Sequence, residues 1–204
     1  QKATHRGQLQ IHVTTERGFF PIKDASIRLS YTGNPTEIIE GLSTDISGQT
    51  AAVELPAPPL EYSMEPSEFQ PYSEYTIQVN ASGYRPINIS GISVLPDKTS
   101  IQNVRMETAT VENPPERNIV ITANTLYGNF PPKIPEDEIK PMNESGEIVL
   151  SRVVIPEYVI VHDGPPSDSS ANDYYVRYRD YIKNVASSEI YATWPDAALR
   201  ANIL

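Results

Sequence analysis

Cysteine is missing from all 204 residues, which removes disulfides, thiolate metal ligands and cysteine nucleophiles together. No stretch approaches the ~20 apolar residues of a membrane span. The polar start, Gln1 to Gln8, lacks the apolar core of an export signal, so such a signal is either absent or already removed. A soluble chain without a membrane span is expected. Bases are scarce as well: 16 Lys and Arg stand against 26 Asp and Glu, for a formal net charge of -10. Without clustered bases to displace counterions, nucleic acid is not an expected partner. The histidines, His5, His12 and His162, are too scattered for a metal site, and His12 and His162 read as surface or hydrogen-bonded strand residues, so no cofactor is expected.

A 39% hydrophobic content is enough for real cores, and its patterning over the first ~107 residues is that of strands. Leu9 to Val13, Ala25 to Tyr31 and Tyr75 to Val79 alternate with period two, the mark of strands with one buried and one wet face. Glu37 to Leu42, Thr50 to Leu55, Ile87 to Leu95 and Ser100 to Met106 complete a set of about seven strands at two-sheet Greek-key spacing. Helical periodicity is missing from this region. In Thr44-Asp45-Ile46-Ser47-Gly48 the Asp is placed to bond its own backbone and the Gly to take positive φ, which makes a connection between strands. Five prolines between Pro56 and Pro71 mark a long exposed loop.

The composition then shifts. Residues 108–147 hold seven acids and three bases, the same net charge of -4 that the 107 residues before them spread over twelve acids and eight bases. Arg117 to Ala123 has the makings of one strand docking on a neighbour, whereas Phe130-Pro131-Pro132 and Lys133 to Glu144 lack apolar periodicity and read as an extended linker open to proteases. Two apolar β-branched runs follow, Glu147 to Ile155 and Glu157 to His162, separated by Pro156 and ended by the turn Asp163-Gly164-Pro165-Pro166 and a polar loop to Asp173.

From Tyr178 the period becomes helical. Tyr178, Tyr181, Ile182 and Val185 share one face, and Glu189 continues it. A carboxyl partly withdrawn from water there would have its charged form disfavoured and its pKa raised toward that of a general acid. The opposing reading has the helix fray at Ser187 and Ser188, leaving Glu189 an ordinary solvated carboxylate. Thr193, Pro195 and Asp196 then have the spacing of a capping box opening a second helix, with Ala197, Ala198 and Ala201 as a small-residue packing surface. The tyrosines Tyr178 and Tyr181 read as core rather than as sugar-stacking platforms, and Trp194 as a packing anchor.

Two resemblances attach to these residues. Gly7-Gln8-Leu9, Pro21 to Ile27, Thr44-Asp45 with Gly48, and Tyr72 to Tyr75 with Gly83-Tyr84 resemble carboxypeptidase-regulatory-like domains, which implies a prealbumin-like Greek-key sandwich and is nearly silent on function. Tyr181 to Ala201 resembles the opening motif of the SpoIID/LytB family, in which a hydrophobic helix ends at a Glu and is followed by a Trp-Pro turn and an alanine-rich helix; Asp196 and Arg200 stand where that family usually has Glu and Lys, and Asn202 where Gln is common. With the strand Ile155 to His162 leading in, the segment is similar to spore cortex-lytic enzymes of the SleC type, lytic transglycosylases made as precursors and activated by a subtilisin-like protease.

By these resemblances the chain is mainly β: a carboxypeptidase-regulatory-like sandwich at 1–107, an acidic Pro-rich linker or pro-region at 108–147, and at 148–204 the N-terminal part of a SpoIID/LytB-like catalytic domain, an α+β segment with two strands and two helices. The resemblance makes Glu189 the catalytic acid, places processing at Ile148 and Val149, and gives peptidoglycan glycan strands and the activating protease as partners in an extracytoplasmic setting, the spore coat and cortex or the cell envelope. The family's domain continues past the Trp-Pro helix, so this stretch alone is expected to be inactive. The competing expectation is a non-enzymatic cell-envelope binding or structural protein that works through the sandwich.

Overall fold

A computed structural model describes residues 5–65, 67–123, 127–128, 155–165 and 167–203. Its first part is two packed sheets. Strands β1 (His5–Thr15), β4 (Val53–Ala57) and β7 (Thr99–Met106) form a three-stranded sheet in the order β4-β1-β7, with β1 antiparallel to β4 and parallel to β7. Strands β2 (Ser26–Tyr31), β3 (Asn34–Ser43), β5 (Ser73–Asn80), β6 (Ile87–Val94) and β8 (Arg117–Val120) form the second, in the order β3-β2-β5-β6-β8. The chain is thus mainly β, opening with a prealbumin-like Greek-key sandwich. The sheet reaches Val120, because β8 lies parallel on β6, the docking strand that Arg117 to Ala123 suggested.

The alternation read from the sequence is the alternation of burial. Leu9, Ile11 and Val13 of β1, Ile27 and Leu29 of β2, and Tyr75, Ile77 and Val79 of β5 turn inward into one core, joined by Ile87, Ile89, Ile92 and Val94 of β6 and by Val104 and Met106 of β7. Each such aliphatic side chain, once fully buried, contributes roughly 1.5–3 kcal/mol against leaving it exposed. The period breaks between Ile89 and Ile92, where the β5–β6 register shifts. Gly91 makes the irregularity possible: its φ is +82°, and a Cβ there would run into the Ile121 carbonyl oxygen.

The Thr44 to Gly48 connection is built as its residues dictate. Asp45 accepts hydrogen bonds from the N–H groups of Ser47 (2.8 Å) and Gln49 (3.0 Å), and Gly48 sits at φ +72°. Thr44, buried, donates to the Ile22 carbonyl at 2.7 Å and accepts from the Ala25 N–H at 2.9 Å. Across the core, the Tyr75 hydroxyl donates to the Pro56 carbonyl at 2.7 Å, and burial pushes that phenol well above its ordinary pKa.

The Pro56 to Pro71 loop is more structured than its prolines suggest. A single helical turn, α1 (Glu61–Met64), occupies the proline-free stretch, in a region from which helical periodicity was missing because four residues are too few to show a period.

The second part is an α+β segment of two strands and two helices. β9 (Tyr158–His162) pairs antiparallel with β10 (Asp173–Arg177), followed by α2 (Tyr178–Glu189) and α3 (Asp196–Ile203). β10 was not anticipated, since Asp173-Tyr174-Tyr175-Val176-Arg177 is mostly exposed and carries no alternation. The expected strand at 147–155 lies outside the described residues except for Ile155, which is exposed and precedes β9 without pairing. Among the described residues no helix is long and apolar enough to cross a membrane.

Candidate functional site around Glu189

The helix that carries Glu189 does not fray. Ser187 and Ser188 both donate to the Asn184 carbonyl, at 2.8 and 3.1 Å, and the Ile190 N–H closes the last turn on the Ala186 carbonyl at 3.0 Å. Ile190 then turns the backbone to extended geometry, φ -140° and ψ 152°. Glu189 is therefore the last helical residue, and it is exposed rather than partly withdrawn from water. The reason is visible along its helix face, where Tyr181 and Val185 are 38% and 39% exposed and α2 buries no residue at all. Tyr178, expected in a core with Tyr181, is exposed to an intermediate degree at most on that same uncovered helix.

Burial begins one residue later. Ile190, Tyr191 and Thr193, each 9% exposed, are the buried residues among those described after Ile155, and they lie where the segment meets the sandwich. Thr193 donates to the Ser63 hydroxyl at 2.8 Å, and the Trp194 indole N–H donates to the Ser63 carbonyl at 2.9 Å. Ser63 is itself 2% exposed, and its hydroxyl donates back to the Leu60 carbonyl at 2.9 Å. The Thr193 hydroxyl, expected to cap the second helix, is thus committed to the sandwich. Trp194 is the anchor its position suggested. The helix beyond starts with the Leu199 N–H bonding the Pro195 carbonyl at 3.0 Å.

Glu189 opens onto a groove of about 150 Å³ bounded on one side by the β4–β5 loop, through Tyr62, Met64 and Glu65, and on the other by Tyr191 and Trp194. Tyr62 stacks on Phe69 with ring centroids 5.0 Å apart. Tyr127 also borders the groove, tied to the loop by donating to Gln70 at 3.2 Å and by packing edge-on against Tyr72. The Tyr191 hydroxyl is buried with no hydrogen-bond partner among the described residues. Its pKa is raised by burial first and by the neighbouring Tyr127 second.

Such an arrangement combines an exposed carboxyl able to give and take a proton with aromatic walls able to stack on a ring. Of the residues singled out in the sequence, Glu189 and Trp194 come together here. Ile148 and Val149 lie outside the described residues. His162 lies away from the groove in β9, its Nδ1 2.8 Å from Asp173 and its Nε2 3.1 Å from the Pro165 carbonyl. Among the described residues no three His, Asp or Glu side chains gather as metal ligands would.

Sequence reasoning missed Ser63 and Tyr62. Their one local signal was the proline-free stretch Leu60 to Glu65 inside a proline-rich loop. Tyr191 stood within the Tyr181 to Ala201 motif, but its unpaired hydroxyl is a consequence of docking.

No family model matches the chain, and no curated protein matches it either. Solved structures similar to it include the TIE protein of Bacillus anthracis, at 17% identity and a TM-score of 0.35, with 52% of this chain and 17% of that one covered. The minor pilin of Streptococcus agalactiae is similar at 15% identity and a TM-score of 0.36, with 55% and 49% covered. The 5-hydroxyisourate hydrolase of Klebsiella pneumoniae is similar at 17% identity and a TM-score of 0.28, with 47% and 89% covered. The chain spans less than half the length of the first two.

Proposed function

We propose that this chain is part of the precursor of a peptidoglycan lytic transglycosylase, with Glu189 as its acid and base, processed near Ile148 and Val149 by a subtilisin-like protease outside the cytoplasm. The observation that supports the reading is the position of Glu189: the last residue of a helix, on an aromatic-walled groove, next to a Thr-Trp-Pro turn whose side chains are anchored. The resemblance of Tyr181 to Ala201 to the SpoIID/LytB motif supplies the reaction class.

A hydrolase acting on glycosidic bonds normally needs two carboxyl groups at a set separation. A lytic transglycosylase manages with one. Glu189, protonated, gives its proton to the leaving glycosidic oxygen as the bond to the anomeric carbon breaks. The carboxylate so formed takes the proton of the same sugar's 6-hydroxyl, whose oxygen bonds the anomeric carbon and closes a 1,6-anhydro ring. Glu189 ends as it began and no water is consumed.

The test is product analysis on cortex peptidoglycan with the complete protein, before and after proteolysis at Val149, and with Glu189→Gln. Anhydromuramic ends that need the cut and vanish in the variant are the expected result. A folded, complete protein that releases nothing in either state would instead favour an envelope-binding role for the sandwich.

A further inference from the structure

The connection that follows Glu189 is gripped by the sandwich at Ser63. Thr193 donates to the Ser63 hydroxyl and the Trp194 indole to the Ser63 carbonyl, at 2.8 and 2.9 Å. The same β4–β5 loop presents Tyr62, Met64 and Glu65 to the groove onto which Glu189 opens. We propose that this joint is an autoinhibitory latch: in the uncut chain the β4–β5 loop keeps glycan off Glu189, and the cut at Val149 activates by letting the sandwich leave. The inference rests on the reading of Glu189 and its processing given above, and adds to it the contact that keeps the precursor silent.

Space is the first observation. With the loop in place the groove measures about 150 Å³, against the roughly 300–1,000 Å³ of sites that enclose one small ligand. A glycan strand, which must lay several rings across the carboxyl, needs more room still. Nor is the wall free to swing aside: Tyr62 stacks on Phe69 at 5.0 Å, and the Ser63 hydroxyl is tied back to the Leu60 carbonyl at 2.9 Å. When the sandwich departs, that wall goes with it, and Glu189, Tyr191 and Trp194 are left on an open face.

The joint is also of a size to open on a single cut. Among the described residues after Ile155, burial is confined to Ile190, Tyr191 and Thr193, while α2 and α3 bury none. A standard interface between separate proteins takes roughly 20–30 residues a side, far more than a joint centred on these three offers. Held on one chain, the two parts meet at an effective concentration of about a millimolar, at which a weak contact stays closed; once severed, they are diluted to the concentration of the protein itself. Val149 lies between β8 and β9, so cutting there breaks the tie between the sandwich and the segment that carries Glu189. The Tyr191 hydroxyl, buried at the joint without a partner among the described residues, regains water when the sandwich leaves, which favours release.

The experiment compares turnover of cortex peptidoglycan by the complete protein as wild type, Ser63→Ala and Ser63→Leu, before and after the cut at Val149. Loss of the Ser63 hydroxyl raises the low uncut turnover about 2- to 12-fold, the effect of one hydrogen bond on the open fraction. Ser63→Leu raises it further, because a bulkier side chain does not fit a position 2% exposed. After the cut all three agree, since Ser63 leaves with the sandwich. Amide exchange over residues 190–194 reports the joint itself: it quickens in wild type on cutting, and in both variants before cutting. Uncut variants as silent as wild type, although residues 190–194 exchange fast, overturn the latch. So does a cut protein that is fully active while those residues keep their uncut protection. Failure of the Glu189 reading looks different: anhydro products persist in Glu189→Gln while the exchange response to cutting is intact.

Discussion

The hydroxyl of Thr193 donates to the hydroxyl of Ser63 at 2.8 Å, in a buried setting and across 130 positions of sequence. This pair, with the Trp194 indole bonding the Ser63 carbonyl, is where the helical segment is fastened to the sandwich.

Removing either hydroxyl should loosen the joint without unfolding the sandwich, whose core lies elsewhere. Ser63→Ala and Thr193→Val are each expected to cost about 0.5–1.5 kcal/mol, and in a double-mutant cycle the two losses should not add. Amide exchange over 178–203 is the readout. Full additivity would mean that the hydroxyls contribute independently.

His162 offers a pH-dependent contact. Both ring nitrogens face acceptors, Asp173 at 2.8 Å and the Pro165 carbonyl at 3.1 Å, an arrangement that only the doubly protonated ring satisfies. The Asp173 hydrogen bond, first among the causes, raises the His162 pKa above its ordinary value. A raised folded-state pKa stabilises fully below the unfolded value of about 6.5 and loses its contribution as pH climbs through the folded one. The β9–β10 hairpin should therefore exchange faster on the alkaline side of that window. Titration of His162 by NMR should move back toward the ordinary value in Asp173→Asn; an unchanged midpoint would remove Asp173 as the cause.

Gly91→Ala should be costly for its size. A side chain at φ +82° is strained, and its Cβ meets the Ile121 carbonyl oxygen. A loss of about 1–3 kcal/mol in denaturant unfolding is expected, with β6–β8 pairing the first to open.

Thr44→Val keeps the shape of a buried side chain and removes two hydrogen bonds, those to the Ile22 carbonyl and from the Ala25 N–H. Each backbone group left unpaired costs about 1–3 kcal/mol. Thr44→Ser, which keeps the oxygen, should recover most of the lost unfolding midpoint.

The legible parts of the molecule were those written in neighbouring residues. Leu9-Gln10-Ile11-His12-Val13 alternates because a strand with one buried face must, and Ile11 and Val13 are buried as that pattern requires. β10 was illegible for the converse reason: with neither face buried, no selection for alternation marks it. α2 was readable from its 3.6-residue period, yet the period overstated burial, because it reports which residues share a face and not whether anything covers it. Glu189 was found from its motif, while its exposure was not.

Local sequence was enough for most of the strands, for the Asp45 turn and for the helix ending at Glu189, since each depends on backbone preferences and patterns spanning a few residues. It took the folded chain to settle that Ser63 holds Thr193 and Trp194, that Asp173 faces His162, and that Tyr62 stands across a groove from Trp194. Those pairings rest on strand register and on the docking of segments far apart in the chain, where the partner of a hydroxyl or a ring is set by which surfaces meet and not by its neighbours in sequence.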